Sequence, residues 1–175
     1  MYSRHIVGGG ELNIDASKVE VILNCPKPNI IKEVRSFLGV IQYWRKFIAN
    51  FSSILAPLHA LTSVKKVFHW RDVQKNAFGS LKQNISLVPV SDLQDLRQPF
   101  EIQTNASDYN MGAILMQHGK SISFHSELFN GVVNNYPTYE KELYTLVQSV
   151  KKWKHYLMGK ETIIYTDHQP LQYLQ

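Results

Sequence analysis

The sequence predicts a mixed fold of α+β or α/β class: a mainly helical first half, an antiparallel three-strand meander, a long helix and a fourth strand. Three observations carry that expectation. Up to about residue 90 apolar side chains recur every three or four positions, the spacing of one helix face. From Pro99 the period changes to two, with Phe100 and Ile102 alternating with Glu101 and Gln103, the pattern of a half-buried strand. A helical period returns over Thr138 to Met158 and gives way to the short β-branched run Thr162 to Thr166.

Taken in order, Gly8-Gly9-Gly10 reads as a turn between strand-like segments, because the lysine and the serine or threonine of a phosphate loop do not follow it. Ile14 to Leu23 reads as a short helix, with Asp15 as N-cap, Val19, Ile22 and Leu23 at helical spacing, and Pro26 and Pro28 stopping it. A longer helix is expected next, capped by Asn29 and traced by Ile30, Val34, Phe37, Leu38, Ile41, Arg45 and Ile48. Val64 to Trp70 alternates like a short hairpin, and Ala77, Phe78, Leu81 and Ile85 mark a further helix ending before Pro89.

In the second half the first strand runs directly into Asn105. Met111 to Met116 and Ser121 to Phe129 supply two more strands, with His118-Gly119-Lys120 as the turn between them. The following helix carries Leu143, Leu146, Val147, Val150, Trp153 and Leu157 on one stripe, the expected packing face, and Gly159 at its end. Pro170 to Gln175 reads as the beginning of another helix.

Composition narrows the function. With 175 residues, 44% of them hydrophobic, the chain is long enough for one comfortable domain or two small ones. It has no apolar run long enough for a membrane span and no secretory leader pattern, so an intracellular location, cytoplasm or nucleus, is expected. Cys25 stands alone, which excludes an internal disulfide, and the seven histidines lack the paired spacing of a zinc site. Residues 1 to 90 hold 12 basic and 5 acidic side chains, whereas residues 91 to 175 hold 7 basic and 9 acidic. A basic first half beside a mildly acidic second half suits a protein that grips phosphates with one part and holds divalent cations with the other.

Ordered motifs then point to a family. Ser17-Lys18-Val19-Glu20 with Asn24-Cys25-Pro26, Glu33 to Gly39, Tyr43 to Ile48 and Ala56-Pro57-Leu58 are similar to the thumb and connection of reverse transcriptases. Gln103 to Asp108, Tyr136 to Leu143 and Tyr165-Thr166-Asp167-His168 are similar to the ribonuclease H half. The chain as a whole resembles the reverse transcriptase to ribonuclease H region of gypsy-type long-terminal-repeat retroelement polyproteins. The resemblance implies a thumb-like segment over residues 1–62, a connection over 63–98 and a ribonuclease H-like domain over 99–175, truncated at its C-terminus. The polymerase palm would lie upstream.

That family cleaves the RNA strand of an RNA/DNA hybrid with two magnesium ions, which need anionic oxygen ligands. The resemblance assigns three ligand positions to Asn105, Glu142 and Asp167, with a fourth beyond the last residue. At the first of these the family has aspartate. An asparagine oxygen brings no charge and bridges two cations poorly, so Asn105 is degenerate and only Glu142 and Asp167 remain as metal-binding carboxylates. Asp108, three residues on, is expected to face away if the strand stays extended. The resulting expectation is a protein that binds RNA/DNA hybrid or duplex with catalysis lost. Its contacts would be Arg35, Trp44, Arg45, Lys46, Lys65 and Lys66. An active hybrid-directed ribonuclease and a protein-interaction module, self-associating through an open edge at 162–166, are the alternatives.

Overall fold

The computed structural model describes residues 6–8, 11–13, 16–63, 68–88, 91–92, 95 and 97–166. They fall into two units: residues 1–48 with 54–93, and residues 49–53 with 94–175. The short segment 49–53 therefore leaves the first unit and belongs to the second.

In the first unit Ile6–Gly8 (β1) pairs antiparallel with Glu11–Asn13 (β2), which pairs with Ser91–Asp92 (β3). Four helices follow the pairing of β1 and β2. Ala16–Leu23 (α1) matches the expected helix, and its C-terminal end is closed by Lys82, whose ammonium donates to the carbonyls of Leu23 at 2.8 Å and Cys25 at 2.5 Å. Asp15 lies outside the described residues, as does the glycine turn at Gly9 and Gly10.

The long helix expected over 30–48 is interrupted. Ile31–Ile41 (α2) is regular, but Gln42–Phe47 tightens into a 3-10 helix and Ile48 is extended. Asn29 does not cap it with its side chain; its backbone N–H donates to Glu33 at 2.7 Å, and Ile30 occupies the cap position. Phe51–Leu61 (α3) carries Pro57 inside it, which is why the sequence pattern passes over this helix. Of the expected hairpin, residues 64–67 lie outside the described set and Phe68 to Trp70 form no strand. Asp72–Ser86 (α4) buries Ala77, Phe78, Leu81 and Ile85, as its period predicts.

The second unit is the strand, helix and strand assembly that the period changes predict. Phe100–Ala106 (β4), Asn110–Gln117 (β5) and Lys120–Leu128 (β6) form the antiparallel meander, and Thr162–Thr166 (β7) pairs parallel with β4, giving the order β6-β5-β4-β7. The turn between β5 and β6 is two residues long. His118 and Gly119 both have positive φ, 53° and 71°, the conformation that lets a two-residue hairpin follow the strand twist.

Thr138–Leu157 (α5) connects β6 to β7 and corrects one expectation. Its buried residues are Lys141, Glu142, Thr145, Ser149 and Trp153, whereas Leu143, Val147 and Val150 of the expected stripe are exposed. The small hydroxyl residues allow the helix to be buried there without wasting polar groups. Thr145 donates to the Lys141 carbonyl and Ser149 to the Thr145 carbonyl, each at 2.7 Å. Phe100, Ile102, Ala113, Leu115 and Trp153 form the apolar core of this unit.

Candidate functional site

The constellation lies at the C-terminal end of β4. Phe100, Ile102 and Thr104 are buried, so strand alternation turns Asn105 to the opposite, exposed side, paired across the sheet with Gly112. Glu142, in the second turn of α5, is only 4% exposed and accepts the backbone N–H of Ala106 at 3.3 Å. The carboxyl group is thus fastened to the peptide next to Asn105, a contact that fixes the end of the strand against the helix. Beside it, buried Lys141 donates to the Asp108 carbonyl at 2.8 Å and stands 5.7 Å from the centre of the Phe129 ring.

Asp108 does not lie on an extended continuation of β4. The strand ends at Ala106, so Asp108 is exposed in the following turn and only its carbonyl is drawn toward α5. Asp167 lies outside the described residues. Its predecessor in the chain, Thr166, stands opposite Thr104 in the parallel register.

The turn after β4 is held by contacts that motif reading does not reach. Ser107 donates to both oxygens of Asn110, backbone and side chain. The Asn110 amide donates to Ser53 at 2.7 Å, the Ser52 N–H donates to the Ser126 hydroxyl at 3.0 Å, and the Ser52 hydroxyl donates to the Ser126 carbonyl at 2.6 Å. Asn50 approaches Gly112, with its Oδ1 3.7 Å from where a β-carbon there would sit. Serines spaced so far apart carry no signal of this pairing in one sequence.

The expected phosphate-binding side chains lie in the first unit. Arg35 is exposed and donates to the Thr62 carbonyl at 3.2 Å, and Arg45 is half-buried. Lys46 is exposed, with its ammonium 4.8 Å from the Phe47 ring centre, and partial desolvation lowers its pKa from 10.5. Trp44 is a correction: it is 1% exposed in the core, in contact with Tyr43 and Phe47, so it offers no face to a base. Lys65 and Lys66 lie outside the described residues. Trp153 packs in the core as its stripe predicts, and Trp70 lies between Phe68 and Phe78.

Among the described residues, which leave out Asp167, the donor set at the end of β4 is incomplete for a bridged magnesium pair. Among the described residues no three His, Cys, Asp or Glu side chains gather to hold a metal ion. At the end of β4 the donors are a neutral amide and one carboxylate that already accepts a peptide N–H. A dication pair at short separation needs negative oxygens between the ions, and Asn105 supplies none.

A sheet of this order, with a helix placing a buried glutamate at the end of its first strand, is the ribonuclease H type of fold. Residues 95–175 match the RNase H-like domain found in reverse transcriptase. Across most of its length the chain is similar to retrovirus-related Pol polyproteins of Drosophila melanogaster. It is 40% identical to that of transposon 297, over 97% of this chain and 16% of the polyprotein, and 33% identical to that of transposon gypsy, over 98% and 18%. The chain thus spans less than a fifth of the length of those relatives.

Among solved structures, the foamy viral protease-reverse transcriptase in complex with dsDNA superposes with a TM-score of 0.81 at 21% identity, covering 96% of this chain and 37% of that one. Its complex with RNA/DNA hybrid gives 0.79 at 22%, covering 96% and 25%. At that identity the likeness is one of fold. No helix among the described residues is long and apolar enough to cross a membrane.

Proposed function

We propose that this chain is a nucleic-acid-binding part of a retroelement polyprotein whose RNase H-like unit has lost effective magnesium-dependent cleavage. The observation that carries the reading is Asn105, a neutral amide at the exposed end of β4 beside the peptide that Glu142 holds. Binding is to RNA/DNA hybrid or duplex, through phosphates rather than base edges, with Arg35, Arg45, Lys46, Lys65 and Lys66 as the contacts. The basic balance of residues 1 to 90 supports that assignment, and the foamy viral relatives in complex with hybrid and dsDNA agree with it.

The test is a labelled RNA/DNA hybrid incubated with the full chain in magnesium or manganese. The unmodified protein should retard the hybrid at low salt, release it as salt rises, and leave it uncut. Asn105→Asp should cut measurably above the unmodified protein. Cleavage by the unmodified chain sinks the reading, and equal silence from Asn105→Asp removes Asn105 as its cause.

A second reading, a protein-interaction role for the sheet edge, is favoured by β7. Ile163 and Ile164, on opposite faces of the strand, are each 42% exposed, and among the described residues β7 pairs on one side only, with β4. An apolar edge of this kind recruits another strand. Sedimentation of the purified chain should then show a dimer that Ile164→Lys dissolves, whereas a monomer at high concentration ends the idea.

A further inference from the structure

The first unit contains a cavity of about 460 Å³ lined by Lys27, Trp70, Arg71, Asp72, Lys75 and Phe78. None of these residues belongs to the sequence motifs of the nuclease half or to the expected phosphate contacts. Three cations face one carboxylate, and among the described residues none of the three is paired with an acid. Arg71 and Lys75 stand one helical turn apart, with the Lys75 N–H bonded to the Arg71 carbonyl at 3.0 Å. Like charges at that spacing repel and weaken a helix. Lys27 adds a third charge, its ammonium 5.9 Å from the centre of the Trp70 ring.

Two further features give the cavity a ligand chemistry. The cavity lies at the start of the 15-residue α4, whose first peptide N–H groups point out of the helix toward negative charge. Trp70 and Phe78, 5.8 Å apart and edge to face, wall it with aromatic surface. Its volume is that of a small-molecule site rather than a single-ion niche.

We propose that this cavity binds the phosphate group of a nucleotide, with Lys27, Arg71 and Lys75 neutralising the charge and the aromatic wall of Trp70 and Phe78 accepting the base. The phosphate comes from a free nucleotide or from a nucleic-acid strand. Because a free nucleotide can fill the site without any hybrid being bound, the inference stands apart from the hybrid-binding reading.

The test follows the indole N–H resonances of the full chain by NMR, with that of Trp70 assigned by its loss in Trp70→Phe. Adenosine 5′-monophosphate and a short RNA/DNA hybrid are titrated separately. Movement of the Trp70 signal by the mononucleotide identifies a free-nucleotide site, and movement by hybrid alone identifies a strand phosphate. In Lys27→Gln/Lys75→Gln the affinity should fall about tenfold or more, while unchanged Trp44 and Trp153 signals report an intact fold. Lys151→Gln/Lys152→Gln, which removes the same charge from α5, should leave the Trp70 response as it was. A Trp70 signal that neither ligand moves, or that moves equally in the Lys27/Lys75 variant, overturns the inference. Hybrid retardation that persists beside such a result leaves the hybrid-binding reading standing.

Discussion

At the scale of single residues, the contrast between Asn105 and Lys46 shows how charge is managed in the two halves. Asn105 is neutral at a position where the resemblance implies a carboxylate, while Lys46 keeps a charge that its surroundings disfavour. The Lys46 pKa is lowered in the folded chain by desolvation on burial, so the unfolded chain binds that proton more tightly. Below both pKa values the charged form burdens the folded state by a constant amount. As pH rises from the lowered value toward 10.5, that burden is relieved and the Lys46 contribution to stability increases. Denaturant unfolding of the native chain and of Lys46→Met across this alkaline window should differ in slope, with the gain present only in the native chain. Parallel profiles would mean that Lys46 does not titrate differently on folding.

At the scale of elements, α5 separates what sequence period reveals from what it hides. The helix itself was legible, as were β4, β5 and β6, because 3.6- and two-residue periods and the His118-Gly119 turn are local signals. Its inward face was not. Thr145 and Ser149 fall outside the apolar stripe, yet they are fully buried because each hydroxyl finds a carbonyl one turn back and needs no water. Glu142 was identifiable only through family resemblance, since a carboxylate near a helix start has an ordinary macrodipole reading. Helix α3 was hidden by Pro57, and the break at Ile41 by an apolar period that continues unbroken into the 3-10 segment. The cavity at Trp70 draws on residues 27 and 70 to 78, too far apart for any motif. The exposed stripe makes a direct prediction: Val147→Ser, at a residue 39% exposed, should cost under about 1 kcal/mol, whereas Trp153→Ala should cost about 3–5 kcal/mol. Chemical denaturation decides, and comparable losses at the two positions would show that the stripe is packed after all.

At the scale of the whole molecule, the two units are not two consecutive stretches of chain. Residues 49–53 belong with the β-sheet unit although the residues on either side of them belong to the helical one. The match to the RNase H-like domain, which begins at residue 95, leaves that segment out. The bonds it makes are specific: Ser53 accepts from Asn110 at 2.7 Å, and Ser52 exchanges two hydrogen bonds with Ser126 in β6. A hydrogen bond between partly buried neutral groups contributes about 0.5–1.5 kcal/mol net, and residues in direct contact depart from additivity by a similar amount. A double-mutant cycle on Ser53→Ala and Asn110→Ala, followed by Trp153 fluorescence during denaturant unfolding, should therefore give a favourable coupling energy of about 0.5–1.5 kcal/mol. Additivity within experimental error would mean that 49–53 merely passes by the sheet. A favourable coupling would make the five residues part of the packing of the sheet unit, so that any dissection of the chain at residue 95 removes a support of the turn that follows Asn105.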